Sequence, residues 1–270
     1  MPPPPKPPPS DPRNEEFWRN YLDNPDPKFI FGRRVMSRIP SEPRCQMCAS
    51  PFTGVGGGVM RLFGKVPSEG NPNLCNACQS YMIRYHGGAE VEGTMLFADV
   101  RGSTPMAEHS TSSEFSALLD RFYTVASRTV YAHSGIVDKF VGDELFAVFP
   151  PNLGGNHVQR AIDTGLDLLR ATGHADSEGP WLPIGGAVHY GRVWFGAVGE
   201  GLRTEITILG DPVNVAARLA SVAAAGELLV STDAANLAGI DTSGARALEL
   251  KGKEQPVEVV TMTVTPRVEG

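Results

Sequence analysis

Long apolar runs are missing from this chain. Every hydrophobic stretch is cut by Gly, Asp or Arg within a strand's length, well short of the roughly eighteen residues that a membrane-crossing helix needs. The N-terminus has no apolar core of the kind an export signal carries; Met1 to Pro12 is mostly proline, which favours a solvated polyproline II arm. Both absences lead us to expect a cytoplasmic protein with no membrane partner. Cysteine is scarce, with four among 270 residues, which excludes a small scaffold stapled by disulfides.

What is present suits a packed protein of ordinary kind. A hydrophobic content of 41% is ample for one good-sized core with a smaller module beside it. The net charge of −6 conceals an asymmetry. Lys28 to His86 holds eight basic residues against two acidic ones, a formal +6 that leaves −12 for the rest. A cationic stretch beside an acidic domain could bind nucleic acid or dock on its acidic neighbour.

The patterning divides the chain into three: a Pro-rich arm (1–14), an N-terminal helix with a cysteine module (15–90), and a larger domain (91–266). Glu15 to Leu22 places apolar residues at 17, 18, 21 and 22, the spacing of a short amphipathic helix. Asn24-Pro25-Asp26-Pro27 then breaks the chain. From Glu92 onward strand and helix signals alternate. Strands are expected at Thr94–Asp99, Ile184–Phe195, Glu227–Ser231 and Glu258–Val264. Helices are expected at Ser113–His133, Val158–Ala171 and Val213–Ala224, and a hairpin over Gly135–Phe149 turns at Gly142-Asp143. Helices packed on a sheet follow from this alternation.

All four cysteines fall in two C-x-x-C pairs, Cys45/Cys48 and Cys75/Cys78. Four thiolates suit the tetrahedral preference of Zn²⁺, here as a structural ion; redox chemistry or unpaired thiols is the competing reading. The 26 residues between the pairs call for a long loop, which Gly54, Gly56, Gly57 and Gly58 would suit. Leu74 to Tyr81 resembles the second knuckle of treble-clef fingers of the GATA type, over too few residues to carry DNA recognition with it. Zinc is retained as the expectation and nucleic acid set aside. So small a segment would draw its folding energy from the metal.

In Phe97-Ala98-Asp99-Val100-Arg101-Gly102-Ser103-Thr104, an Asp ends a buried strand and a Gly/Ser turn opens a helix. A carboxylate thereby meets backbone N–H groups able to hold phosphate; an N-cap Asp is the bland alternative. Asp143, at the tip of Asp138-Lys139-Phe140-Val141-Gly142-Asp143-Glu144, would join Asp99 if the hairpin lies beside that strand. Paired carboxylates then call for a hard cation, Mg²⁺ or Mn²⁺. His133 and His189 read as packed residues inside their elements, Asp211 as a turn residue, and Arg101 and Arg203 as partners of phosphate or carboxylate.

FADVRGST, KFVGDE, ITILGDPVNVAARL and LKGKEQPVEVV, in that order between Glu92 and Val264, resemble the class III adenylyl and guanylyl cyclases. The resemblance implies an α+β fold, a ferredoxin-like βαββαβ palm that pairs head to tail as a homodimer. It implies Asp99 and Asp143 as ligands of two metal ions per site, with Val100, Gly102, Ser103 and Thr104 around the phosphates. It further implies Asn214 and Arg218 as the transition-state pair, one helical turn apart, and Lys251 on the terminal phosphates, with Lys253 as a substitute. Lys139 and Thr207 would read the base, and an ammonium with a hydroxyl suits adenine, so the implied reaction converts ATP to cyclic AMP and pyrophosphate. Glu205 and Ile206 depart from the Asp and Tyr of many bacterial relatives. Two competing readings are a diguanylate cyclase, from the GGDEF-like Gly142 to Phe146, and a non-catalytic ATP sensor whose basic zinc module binds a partner.

Overall fold

A computed structural model describes residues 11–23, 26–39, 41, 43–69, 71–199 and 205–265. The first ten residues of the Pro-rich arm, the Asn24-Pro25 break and Arg203 lie outside the described residues. The chain forms two compact units, one of residues 1–91 with 194–209 and one of 92–193 with 210–270. Among the described residues no helix is long and apolar enough to cross a membrane.

In the first unit, α1 (Pro12–Asp23) and α2 (Pro27–Ser37) precede the cysteines, α3 (Gly54–Leu62) lies between the two pairs, and α4 (Asn76–Arg84) leaves the second pair. Proline opens α1 and α2, where its missing N–H costs nothing, so Pro12 to Asn14 are helical rather than part of the arm. Pro27 starts a helix within the stretch read as merely basic, capped by the Asp26 side chain on Lys28 N–H. The glycines of 54–58, expected in a loop, sit in α3. The unit also holds the start of β1 (Gly87–Val100) and the end of a later strand with its partner, described below.

In the second unit β1 continues, followed by α5 (Ser103–His109), α6 (Ser112–Ala132), β2 (Ile136–Val141), β3 (Glu144–Phe149), α7 (His157–Ala171) and β4 (Ile184–Val198). After the short β5 (Glu205–Leu209) come α8 (Asp211–Val222), β6 (Leu228–Ser231), α9 (Thr232–Leu237), β7 (Arg246–Leu248) and β8 (Val257–Met262). The strands lie in the order β2-β3-β1-β4-β6-β8-β7. Its first four strands, with α6 and α7 as crossovers, make the βαββαβ palm, and the helices expected over 113–133 and 158–171 are α6 and α7. A capping box at Thr111 and Glu114 starts α6. Phe122, Ala126 and Val130 on α6 and Ile162 and Leu169 on α7 bury against Leu96, Ala98, Leu145 and Ala147 of the sheet.

His189 on β4 is packed, as expected; His133 instead caps the end of α6 and holds Asp167 at 2.9 Å. The His189 Nδ1 atom finds no hydrogen-bond partner among the described residues, and burial lowers its pKa to about 4 against the opposing charges of Asp233 and Asp211, with Lys253 adding to the fall. The unfolded chain therefore takes up a proton on this ring near pH 6.5 and the folded one only near 4. Stability is full above pH 6.5, falls as pH drops through that window, and loses at most about 3 kcal/mol. His189→Gln should flatten this part of the stability profile, read as denaturant midpoints at pH 7 and pH 4.5.

Candidate functional site

Strand parity places the first carboxylate. Leu96, Ala98 and Val100 face the helices, so Met95, Phe97 and Asp99 take the opposite face of β1. Antiparallel pairing sets Phe97 opposite Phe146 and Asp99 opposite Glu144, and the two phenyl rings stack at 4.3 Å. Glu144 opens β3 directly after a two-residue turn, Gly142-Asp143, in which only Gly142 needs positive φ, at 61°. Tyr123 of α6 stacks on Phe140 at 4.0 Å and donates its hydroxyl to the Gly142 carbonyl, which fixes that turn. Asp143 thereby lies within hydrogen-bonding reach of Asp99.

Burial raises the Asp99 carboxyl above the ordinary range; the Arg101 guanidinium opposes this and Asp143 adds to it. Burial likewise raises Glu144, helped by the charges of Asp99 and Asp143. Three carboxyl groups crowd this strand end with Arg101 as the opposing charge, the electrostatic condition under which a divalent ion is welcome. Arg101 holds Asp99 at 2.6 Å and also donates to the carbonyls of Ala220 and Ser221 at 2.9 and 2.8 Å, closing the C-terminal end of α8. Of its two expected partners, Arg101 takes the carboxylate. Glu144 and Tyr123 had no place in the sequence reading. A strict two-residue alternation would have exposed Glu144; nothing in the sequence marks Tyr123.

The same parity would put Lys139 in the core beside Val137. A bulge between Val137 and Lys139 resets the register, so Lys139 opposes Phe146 and shares the Asp99 face. Its Nζ lies 3.3 Å from the buried Asp138 carboxylate. At the strand end Gly102, with φ 72°, opens α5 without a side-chain cap, leaving the N–H groups of Ser103 and Thr104 uncapped. Ser103, Thr104, Ala107, Glu108, Phe115 and Asp143 line an open hollow of about 420 Å³. Asn214, Arg218 and Lys251 do not line it.

Those three come together elsewhere in the unit. On α8, Val215, Ala216, Leu219 and Ala220 are buried, which leaves Asn214 exposed and Arg218 half-buried one turn apart. Gly252, with φ 76°, carries the Lys251 loop past Arg218, so close that a Cβ on Gly252 would sit 3.6 Å from its guanidinium nitrogens. Lys253 is paired with Asp211 in the first turn of α8, so Lys251 is the lysine left on that loop. Thr207 belongs to the first unit, 5% exposed on β5 opposite Gly196 of β4.

In the first unit the four cysteine Sγ atoms lie within 4.8 Å of one another. Cys48 and Cys75 are 3.8 Å apart, the edge of a tetrahedron whose centre lies about 2.3 Å from each sulfur. Cys75 N–H donates to Cys45 Sγ at 3.3 Å, and Arg33 of α2, buried, donates to the carbonyls of Gln46 and Met47 in the first knuckle. Hydrogen bonding among the crowded sulfurs pulls Cys48 and Cys75 down, with Cys45 as chief partner, and pushes Cys45 and Cys78 up. The donor set fits a four-thiolate metal centre.

Residues 89–263 match the family model described as the adenylate and guanylate cyclase catalytic domain. Among curated proteins, the uncharacterised Rv1319c of Mycobacterium tuberculosis is 32% identical over 185 residues, covering 66% of this chain and 34% of that one. Rv1320c of the same organism is 34% identical over 182 residues, covering 65% and 32%. The chain spans about a third of the length of these relatives. Among solved structures, the guanylyl cyclase Cya2 superposes with a TM-score of 0.59 at 25% identity, over 64% of this chain and 92% of that one. The adenylyl cyclase CyaB from P. aeruginosa gives 0.56 at 26% identity, over 67% and 97%. A match that runs from within β1 to the end of β8 settles the family: this chain belongs to the class III adenylyl and guanylyl cyclases.

Proposed function

We propose that the chain is an adenylyl cyclase that converts ATP to 3′,5′-cyclic AMP and pyrophosphate in a head-to-tail homodimer. The observation that carries the reaction is the meeting of Asp99 and Asp143 beside the uncapped start of α5. Mg²⁺ or Mn²⁺ ions at this pair would activate the ribose 3′-hydroxyl and neutralise the triphosphate. The backbone of Val100 and Gly102 to Thr104 holds phosphate oxygens, and Lys251 takes the terminal phosphates. The 3′-oxygen attacks the α-phosphorus, the bond to the β-phosphate oxygen breaks, and pyrophosphate leaves. Asn214 orients the ribose and Arg218 stabilises charge developing on the phosphorus.

Base choice rests on Lys139 and Thr207. An ammonium donates to N1 of adenine and a hydroxyl accepts from its amine, a polarity that guanine's N1–H does not match. In the head-to-tail dimer each site would take Asn214, Arg218 and Lys251 from the second protomer, a reading that agrees with their absence from the hollow beside Asp143. The cysteine cluster holds a structural Zn²⁺.

The purified chain is to be incubated with ATP or GTP plus Mn²⁺ or Mg²⁺, and cyclic nucleotide separated and weighed by mass. Cyclic AMP that disappears in Asp99→Ala is the expected result. Cyclic GMP in excess would overturn the base assignment, and no product from either nucleotide would overturn the enzyme in favour of an ATP-binding regulator.

A further inference from the structure

Thr207 and the cysteine cluster share one compact unit, and a short run of contacts joins them. Cys75 caps α4 and Cys78 lies in its first turn, so the cluster anchors the start of that helix. At its other end Tyr85 is the C-cap, stacked on Phe17 at 3.6 Å, and its carbonyl accepts the Trp18 indole N–H at 2.7 Å. Trp18 is fully buried, its ring 5.8 Å from Phe195 of β4. The next residue, His86, reaches the Gly199 carbonyl with Nε2 at 2.7 Å. Beyond it Gly88 and Gly196 approach so closely that a Cβ on either would run into backbone of the other strand.

These contacts converge on one place in the β4–β5 hairpin. Phe195 is the register partner of Ile208, and Gly196 that of Thr207. The strand segment that braces Thr207 is thus held from behind by Trp18, His86 and the Gly87–Gly88 backbone. Trp18 is out of reach of any solvent-borne substrate, and among the described residues its indole N–H donates to a helix-end carbonyl. Its ring also meets those of Phe17, Tyr21 and Phe195.

We propose that Trp18 is a positioning residue for base recognition: it seats the hairpin that carries Thr207 on the helix end anchored by the cysteine cluster. This rests on the reading of Thr207 as a base-contacting residue. A contact made equally in the ground and transition states governs KM and not turnover, so a loosened hairpin weakens the grip on adenine and leaves the chemistry alone.

The test uses the full chain with ATP and GTP over a range of concentrations. Trp18→Ala should raise the KM for ATP about three- to tenfold, the worth of one hydrogen bond, and narrow the preference for ATP over GTP, with kcat changed less than about twofold. Thr207→Ala should give the same signature, the double variant should be no worse than Thr207→Ala, and Trp18→Phe should recover most of the loss. Should Trp18→Ala not fold, as judged by melting and metal content, His86→Ala removes only the Gly199 link and should move KM the same way. A drop in kcat at unchanged KM, or effects that multiply in the double variant, would overturn the proposal. Thr207→Ala that leaves nucleotide preference unchanged would overturn the base assignment with it; a shift there, with none from Trp18 or His86 variants, would overturn the Trp18 role alone.

Discussion

Arg218→Ala is expected to cut turnover at saturating ATP by about a hundredfold or more, the loss seen when one preorganised donor to transition-state charge is removed. The side chain lies half-buried on α8, with the Lys251 loop drawn over it at Gly252 and no cap or core role of its own. Melting temperature should therefore hold. The proposed division of the site between two protomers gives a sharper readout. Asp99→Ala should be inactive for lack of the carboxylate and Arg218→Ala nearly so for lack of the guanidinium, and each such homodimer would have two crippled sites. Co-expressed in equal amount they pair at random, roughly half the dimers are mixed, and each mixed dimer has one intact site of two, so about a quarter of wild-type activity returns. No recovery would mean that a single protomer supplies both halves.

Cys75→Ser is expected to strip the metal and unfold the segment around it. Structural four-ligand zinc contributes on the order of 10 kcal/mol or more of apparent folding energy in peptides of this size. The segment has little else to stand on, since its buried apolar side chains are chiefly Cys45, Cys48, Cys75, Met47, Phe52, Leu74 and Met82. One zinc per chain in the wild type by atomic emission, near none in the variant, and loss of a separate melting step would match. A chelator should act alike. A variant free of zinc whose melt is unchanged would show that the sulfur cluster has no part in folding.

The palm was legible because its signals are periodic. The long apolar stripe of α6 and the two-residue turn at Gly142-Asp143 sit within a residue or two of where the sequence placed them. The glycines of 54–58 misled for a physical reason. They are needed for close approach within a helix: a Cβ on Gly57 would lie 2.5 Å from the Phe52 carbonyl carbon, and one on Gly56 2.8 Å from Ile39. Helix propensity gave way to packing. Arg33 was equally opaque, counted only as one of the eight basic residues of Lys28 to His86 yet buried on the carbonyls of the first knuckle. Lys139 needed a bulge that no local pattern announces, and without it alternation assigns the side chain to the wrong face.

The family match begins at residue 89, whereas the β4–β5 hairpin belongs by its contacts with residues 1–91. A fragment excised at that similarity border would therefore cut through a folding unit. It would keep Phe195 and lose Trp18, Tyr85 and His86, leaving the Phe195 ring uncovered at the far end of β4, an apolar surface prone to self-association. Chimeras that graft this cyclase onto a foreign sensor should join upstream of Pro12, so that the hairpin keeps the partner it folds with.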